Sequence, residues 1–191
     1  MIAQLESNIY GERKIVFTVP LPHKQPVFMS LKVSEYENNP HGFFFVNSEK
    51  FLRLWRANKY DSYERIADGK PETWRNDRKF SYAAEGFSLG RENPVPLANI
   101  SFGASVHSIV SYNFLCFGKK STPEEIPFIS ITNGITRTIW LLSQGCEAFP
   151  VKCEISSARD LYRIAAADSA NFYTTDDFLN SKVPDPNLAP M

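Results

Sequence analysis

Residues 126–155 carry the pattern that most constrains the fold, because they read in order as strand, tight turn, helix, turn and strand. The run IPFISIT is short, apolar and rich in β-branched residues, which is typical of a buried strand. Asn133 follows at the position of a helix N-cap, and Gly134 permits close approach of the backbone to a ligand. An apolar stripe at helical spacing then predicts a helix ending at Gly145, and alternation from Phe149 predicts a second strand. Two strands joined by a helix predict a right-handed parallel crossover.

A cation stands in the first turn of this predicted helix. Arg137 is unfavourable there by roughly 0.3–1 kcal/mol because of the helix dipole. A bound anion would reverse the sign, since free backbone N–H groups and the guanidinium would converge on it. The sequence therefore predicts a phosphate-binding turn made of Asn133, Gly134, Thr136 and Arg137, in which Thr136 donates a hydroxyl and Arg137 stabilises phosphoryl charge. The alternatives are that Arg137 points into water or pairs with a nearby carboxylate.

Residues 50–80 form a basic segment with nine Lys or Arg and five Asp or Glu. Two helices are predicted here, over 48–58 and from Pro71 to about Ala84 with Gly86 as the stop. Basic side chains interleaved with aromatic rings are typical of a single-stranded DNA groove. The alternative is a solvated helical surface whose rings belong to the core. The candidate DNA contacts are Arg53, Arg56, Trp74, Arg75, Arg78 and Lys79.

Phosphodiester hydrolysis also needs a group that activates water. Glu85 is the candidate base because it comes just before Gly86, although a plain surface carboxylate is the alternative. Arg91 and Asn93 precede the next predicted strand and are expected to bind phosphate at the same cleft. The three histidines have no metal-ligand spacing, so the metal is unknown. A Mg²⁺ ion held by carboxylates and substrate phosphate would leave no visible motif.

Outside the central unit, the pattern predicts further strands at 14–20 and 27–33 and an antiparallel hairpin of 94–102 and 105–117 turning at Gly103. Residues 119–125 are expected to be a polar loop. A final helix is predicted to begin at Ser157, capped with the help of Asp160. Residues 1–179 form one domain in this interpretation, and 180–191 are expected to be a disordered tail.

Composition excludes several classes of protein. The chain has 191 residues and a formal net charge of zero, so any DNA binding must come from a local patch. Three cysteines without CxxC spacing predict buried thiols in a reducing compartment. No run of ~18 apolar residues and no basic-then-apolar leader is present, which predicts no membrane insertion.

The stretch ITNGITRTIWLLSQGCEAFPVKC resembles the ParB/sulfiredoxin fold family, in which an apolar strand is followed by G-x-x-R at a helix start, then Gly, then Pro-Val in the next strand. Gly134, Arg137, Gly145 and Pro150-Val151 occupy those positions. The resemblance implies an α+β domain with a mixed β-sheet flanked by helices. Sulfiredoxins carry G-C-H-R at this turn, whereas this chain has Ile135 and Thr136 in place of Cys and His, so sulfinic acid reduction is not expected.

The chain as a whole, in stretches such as GRENPVPLANISF, is similar to plasmid-encoded fertility-inhibition proteins that suppress oncogenic T-DNA transfer. This resemblance implies a DNase with ATP hydrolysis, with ATP and Mg²⁺ as cofactors. It also implies T-DNA or a plasmid transfer strand as substrate and the coupling ATPases of a type IV secretion system as partners. The implied location is the bacterial cytoplasm, including the inner-membrane periphery at the secretion machinery. The alternative is a non-enzymatic, nucleotide-binding inhibitor that docks on the coupling ATPase through exposed Trp55 or Trp74.

Overall fold

The computed structural model describes residues 2–7, 13–33, 41–59, 61–112, 119–168 and 170–179, and in them it contains nine strands and seven helices. The strands are β1 Ile2–Ser7, β2 Arg13–Leu21, β3 Lys24–Val33, β4 His41–Asn47, β5 Val95–Pro96, β6 Ala98–Tyr112, β7 Lys119–Asn133, β8 Ala148–Glu154 and β9 Tyr173–Thr174. The helices are α1 Ser48–Ala57, α2 Glu64–Ala67, α3 Pro71–Trp74, α4 Phe80–Ser88, α5 Ile135–Ser143, α6 Ile155–Ala165 and α7 Thr175–Leu179.

The first sheet has the order β1-β2-β3-β5, and β5 is its one parallel addition, beside β3. Strands β2 and β3 are joined by a two-residue turn at Pro22 and His23, where His23 has a positive φ of 56°. The predicted strand at 14–20 is confirmed but ends one residue too early, because β2 continues to Leu21, which pairs with Lys24.

The second sheet has the order β7-β6-β8-β4-β9. Strand β6 is antiparallel to β7 and parallel to β8, so β7 and β8 run in opposite directions with β6 between them. The predicted parallel crossover is therefore wrong. Helix α5 does follow one strand and precede the next, but it carries the chain over β6 to an antiparallel position.

Strands β6 and β7 form one long antiparallel ribbon, and the predicted hairpin at Gly103 is wrong. Gly103 lies within β6 opposite Phe128, and a Cβ at that position would lie 3.2 Å from the Phe128 ring. Gly103 thus leaves space for the aromatic ring of Phe128 on the neighbouring strand and does not form a turn. The predicted polar loop at 119–125 is also wrong, because these residues are the first half of β7.

Helix α1 is confirmed, with Asn47 accepting N–H groups of Glu49 and Lys50 as its N-cap. The predicted helix from Pro71 to Ala84 is wrong as a single element. It is broken between α3 and α4, where Asp77 Oδ1 accepts the backbone N–H of Lys79 at 2.8 Å and stabilises a turn.

Two further helix boundaries differ from the predicted ones. Gly86 lies inside α4 instead of stopping it. Helix α6 begins directly after β8 at Ile155, so Ser157 is an interior residue and not its cap.

Aromatic side chains join the two sheets into one core. Phe17 of the first sheet meets Phe43 and Phe45 of the second edge-on, with ring centroids 5.8 and 6.0 Å apart. Phe51 of α1 packs edge-on against Phe149 of β8 at 5.1 Å. This core confirms the predicted α+β class with helices flanking mixed sheets, although the strands form two sheets rather than one. The ParB/sulfiredoxin resemblance is compatible with this architecture, and the predicted tail at 180–191 lies outside the described residues.

Candidate functional site

The turn between β7 and α5 begins with a β-bulge. Asn99 pairs with Asn133 but Ile100 pairs with Ile131, so Thr132 is an extra residue on β7. The Thr132 hydroxyl donates to the Asn99 carbonyl at 3.0 Å and holds the bulge. Bulges redirect a strand end, and this one sets the direction in which the chain leaves the sheet.

Gly134 is required at this turn for two physical reasons. Its φ of 101° is strained for any residue with a side chain. A Cβ here would also overlap Nε of Arg137 and lie 3.0 Å from Cα of Ala98. The glycine therefore lets the Arg137 side chain fold back over the start of α5.

Asn133 has a different role from the predicted one. The N-cap of α5 is Gly134, without a side-chain hydrogen bond, so the prediction of Asn133 as N-cap is wrong. The Asn133 side-chain oxygen instead accepts a hydrogen bond from Nη2 of Arg137 at 3.2 Å. Asn133 thus orients the guanidinium beside the helix start.

Arg137 is half-buried and, within the described part of the chain, has no ion-pair partner. Its Nε is inaccessible to solvent and makes no hydrogen bond there. Burial lowers the pKa of Arg137 from its ordinary value, although an arginine stays charged at neutral pH. A partly desolvated cation without a carboxylate is favourable only if an anion joins it.

Backbone donors of α5 meet at the same place. The first helical bond runs from the Thr138 N–H to the Gly134 carbonyl at 3.0 Å. The three earlier N–H groups of the helix, on Ile135, Thr136 and Arg137, therefore have no helical acceptor. Together with the guanidinium they form a corner rich in N–H donors, an arrangement that favours an anion.

This corner opens into a cleft of about 580 Å³, named here the α5 cleft, which is large enough for a nucleotide-sized ligand. Its charged lining consists of three cations and one carboxylate, so its local charge is positive although the whole chain is neutral. The lining residues are Tyr63, Ile66, Asp77, Arg78, Lys79, Tyr82, Ala83, Gly86, Val95, Thr132, Asn133, Gly134, Ile135, Thr136 and Arg137.

The structure brings together six of the predicted site residues in this cleft. They are Asn133, Gly134, Thr136, Arg137, Arg78 and Lys79. Arg78 and Lys79 come from the start of α4, so the predicted phosphate turn and part of the predicted DNA segment share one cavity.

Glu85, Arg91 and Asn93 do not line the α5 cleft. Glu85 is an exposed residue of α4, which agrees with the surface-carboxylate alternative. The Arg91 guanidinium lies 5.7 Å from the centre of the Phe28 ring, against the first sheet, and Asn93 is exposed. Within α4, Tyr82 and Gly86 lie four residues apart on the face that lines the cleft, and Glu85 lies to the side of that face.

Trp74 and Arg56 are not available for the predicted DNA contact. Trp74 is 5% exposed, and its indole N–H donates to the Ile66 carbonyl at 2.7 Å. Arg56 donates to the carbonyls of Ala67 and Gly69, each at 2.9 Å. Both side chains hold the irregular segment after α1 in place.

The remaining basic candidates and the proposed tryptophan anchor also lie apart from the cleft. Arg53 and Arg75 are exposed outside its lining. Trp55 is completely buried, so the expectation of an exposed tryptophan anchor for docking is wrong for both Trp55 and Trp74.

Sequence reasoning missed Asp77 and Tyr82. Asp77 is the one carboxylate among the described residues that line the α5 cleft, and its Oδ1 is engaged with the Lys79 N–H. The available signal was the run DRK directly before an apolar helix, which repeats the unusual cation-at-helix-start pattern seen at Arg137.

A second cavity of about 520 Å³, named here the α1 cavity, lies at the other end of α5. It is lined by residues of α1 and α3 together with Leu142, Gly145, Cys146 and Glu147. Burial raises the pKa of Cys146 to about 11, so this thiol stays protonated and unreactive at neutral pH. The prediction of buried thiols is confirmed for Cys146 and Cys153, while Cys116 lies outside the described residues.

Two features are absent from the described residues. No group of three or more His, Cys, Asp or Glu residues there could hold a metal ion. In the same residues no helix is long and apolar enough to cross a membrane.

Comparison with known proteins identifies the family of this chain. The model of the plasmid fertility inhibition factor family matches residues 44–166, which include α4, the β7–α5 turn and all of α5. The chain belongs to the plasmid fertility inhibition factor family. The prediction of a fertility-inhibition protein is therefore confirmed at the level of the family.

Two relatives in this family agree with the assignment. Protein osa of Shigella flexneri is 27% identical over 150 residues, and the match covers 78% of this chain but 66% of that protein. A crystal structure of oncogenic suppression activity protein, a plasmid fertility inhibition factor studied as a gold(I) cyanide derivative, superposes with a TM-score of 0.60 at 26% identity. That superposition covers 89% of this chain and 78% of the other.

Proposed function

We propose that this chain inhibits plasmid or T-DNA transfer as a DNase with ATP hydrolysis, acting in the bacterial cytoplasm at a type IV secretion system. The observation that carries the proposal is the α5 cleft. In it a half-buried arginine without a described ion-pair partner and three free helix N–H groups face a cavity with net positive lining. Both ATP and DNA present phosphate oxygens, which this arrangement recognises.

Arg137 is proposed to stabilise the charge that develops on a phosphoryl oxygen. A fixed donor of this kind accelerates such reactions because it needs no reorganisation as the charge forms. The hydrogen bond to Asn133 and the contact with Gly134 fix the guanidinium before the ligand arrives. Thr136 adds a hydroxyl donor in the same lining.

Asp77 replaces Glu85 as the group proposed to activate water. It lies in the cleft lining, whereas Glu85 does not. Its Oδ2 has no described partner and can take a proton or contact a Mg²⁺ ion. Because the cleft offers a single carboxylate, a Mg²⁺ ion would be held mainly by substrate phosphates and water, as is common for this metal.

The test is an incubation of purified protein with labelled single- and double-stranded DNA, with and without Mg²⁺ and ATP. Arg137→Ala should lower the cleavage rate by about 10²–10³-fold, the usual cost of removing one such donor. Arg159→Gln is the matched control, because Arg159 is an exposed arginine of α6 outside the cleft. Cleavage by Arg137→Ala at the wild-type rate would overturn the proposal.

The alternative is a non-enzymatic inhibitor that binds nucleotide and docks on the secretion-coupling ATPase. For this alternative we propose Val106 of β6, whose side chain is 66% exposed, as a docking contact. A transfer assay separates the two functions. If Val106→Asp loses suppression while DNA cleavage persists, docking is required. If Arg137→Ala loses suppression and cleavage together, the enzymatic function is required.

A further inference from the structure

Two tyrosine rings in the α5 cleft have no evident structural role. Tyr82 is 69% exposed and Tyr63 is 44% exposed. Within the described part of the chain, Leu89 and Val106 are the other large hydrophobic side chains with comparable exposure, and both lie outside this cleft. Flat rings left in water beside a cavity gain free energy when another flat group covers them.

Cations flank these rings at two helix starts. Tyr82 comes three residues after Lys79 and four after Arg78, a spacing that places all three on one side of the start of α4. Helices α1, α2, α3 and α7 carry an acid in their first turns, whereas none is present in α4 and α5, or in α6 away from the cleft. Both helix starts that face the cleft therefore lack the usual acid and have a cation nearby, which favours two phosphate positions rather than one.

We infer that the α5 cleft binds single-stranded DNA, with one base stacked on Tyr82 and neighbouring phosphates at the starts of α5 and α4. This inference rests on the proposed function for its first phosphate position. A base can cover a tyrosine ring only when it is unpaired and out of a duplex stack. Tyr63, on the segment before α2, lies in the same lining and offers a second ring to the strand.

The test is fluorescence anisotropy with a labelled oligothymidine, the matching blunt duplex and a labelled ATP analogue, all without divalent metal so that no turnover occurs. Tyr82→Leu should weaken oligothymidine binding by about 5- to 150-fold, the range expected for one lost base stack, while Tyr82→Phe keeps the ring and the affinity. Arg78→Gln should reduce the slope of log K against log salt by about 0.7, one phosphate contact on a single strand. Leu89→Ala, an exposed residue next to the end of α4, is the matched control and should bind as wild type does.

The outcomes separate this inference from the proposed function. Equal binding of oligothymidine by Tyr82→Leu and wild type would overturn the inference, and so would preference for the blunt duplex or for the ATP analogue alone. Tyrosine-dependent binding by a protein that never cleaves DNA would contradict the nuclease proposal and leave the inference standing. Thermal unfolding of each variant checks the fold, which substitution of so exposed a side chain should not disturb.

Discussion

The two ends of α5 are built in opposite ways. At its C-terminal end Gly145 has a φ of 73°, and the N–H groups of Cys146 and Gly145 donate to Leu141 and Leu142, each at 3.1 Å. This is a Schellman closure. At its N-terminal end Gly134 also has a positive φ, but no side chain caps the free N–H groups.

The surroundings repeat the contrast. The Cys146 carbonyl accepts the buried Ser48 hydroxyl, and the Ser48 N–H donates to the Glu147 carbonyl at 2.9 Å, so the C-terminal end is fixed to α1. The N-terminal end faces an open cleft with Arg137 beside it. Between the two ends, Ile139 and Leu141 are completely buried and anchor the helix in the core. The C-terminal end of α5 is thus fixed by hydrogen bonds within the fold, and we propose that the N-terminal end binds a ligand.

The largest effect is expected when either of the two glycines is replaced by alanine. Gly134→Ala and Gly145→Ala should each lower the free energy of unfolding by about 1–2 kcal/mol, because both force a side chain into a left-handed conformation. Only Gly134→Ala should also abolish phosphate and nucleotide binding, since its Cβ displaces Arg137, whereas a Cβ at Gly145 meets Pro22 at an ordinary 3.6 Å. Urea unfolding and ATP-analogue titration measure the two effects. Equal nucleotide affinity in both variants would remove the distinction between the ends.

A second effect concerns the closed end. Ser48→Ala removes the hydroxyl that satisfies the Cys146 carbonyl, and it should lower the free energy of unfolding by about 1–2 kcal/mol. Nucleotide binding at the open end should not change. Urea unfolding beside the same titration checks this expectation, and Ser156→Ala, on an exposed part of α6, serves as control. A drop in nucleotide affinity would mean that the two ends are coupled.

A smaller effect is expected at Asn133. Asn133→Ala removes the acceptor that orients Arg137 at 3.2 Å but leaves the charge, so nucleotide affinity should fall by a few-fold, for a hydrogen bond worth about 0.5–1.5 kcal/mol. Stability should change by less than about 0.5 kcal/mol because the side chain is exposed. Calorimetric titration with an ATP analogue measures the affinity. A loss as large as that of Arg137→Ala would show that Asn133 contacts the ligand itself.

The smallest effect near neutral pH concerns the thiols. Burial raises the pKa of Cys146 and of Cys153 to about 11, from an ordinary value near 9. The folded state therefore holds these protons more tightly than the unfolded state does, and their contribution to stability is full below pH 9 and lost as pH rises towards 11. Urea unfolding at pH 8, 9 and 10 should show a steeper decline in wild type than in a Cys146→Ala, Cys153→Ala double variant. Parallel pH profiles of the free energy of unfolding in the two proteins would contradict this expectation.

The local sequence pattern was sufficient to predict the structure where a single segment determines its own geometry. The strand, the glycine at a left-handed turn, the arginine in the first turn of α5 and the glycine after its end were all predictable from 126–155. The bulge was not, because it depends on pairing with Asn99 in another strand. Gly103 was misinterpreted for the same reason, since its partner Phe128 is distant in sequence.

The site was only partly predictable, because its second wall comes from α4. The apolar pattern from Pro71 to Ala84 is compatible with one helix, and the break that aims α4 depends on the contact between Asp77 and Lys79. The sequence does not reveal that break, so Glu85 was a reasonable candidate for the base that activates water, and nothing distinguished Asp77 from the other acidic residues. Trp74 was predicted to contact DNA but is buried, because its contact with Ile66 forms only on folding and composition does not reveal it.

Because Thr132 is an extra residue in β7, the number of residues between the sheet and α5 affects how the helix is placed. Deleting Thr132 would keep Ile131 paired with Ile100 and Asn133 paired with Asn99, but it would restore a regular ladder and remove the bend of the bulge. Helix α5 would then leave the sheet in a different direction, which would move Arg137 relative to Asp77 and Tyr82 on the other wall of the α5 cleft. Family members should therefore keep the length of this turn unchanged and keep a hydroxyl donor at this position to hold the bulge.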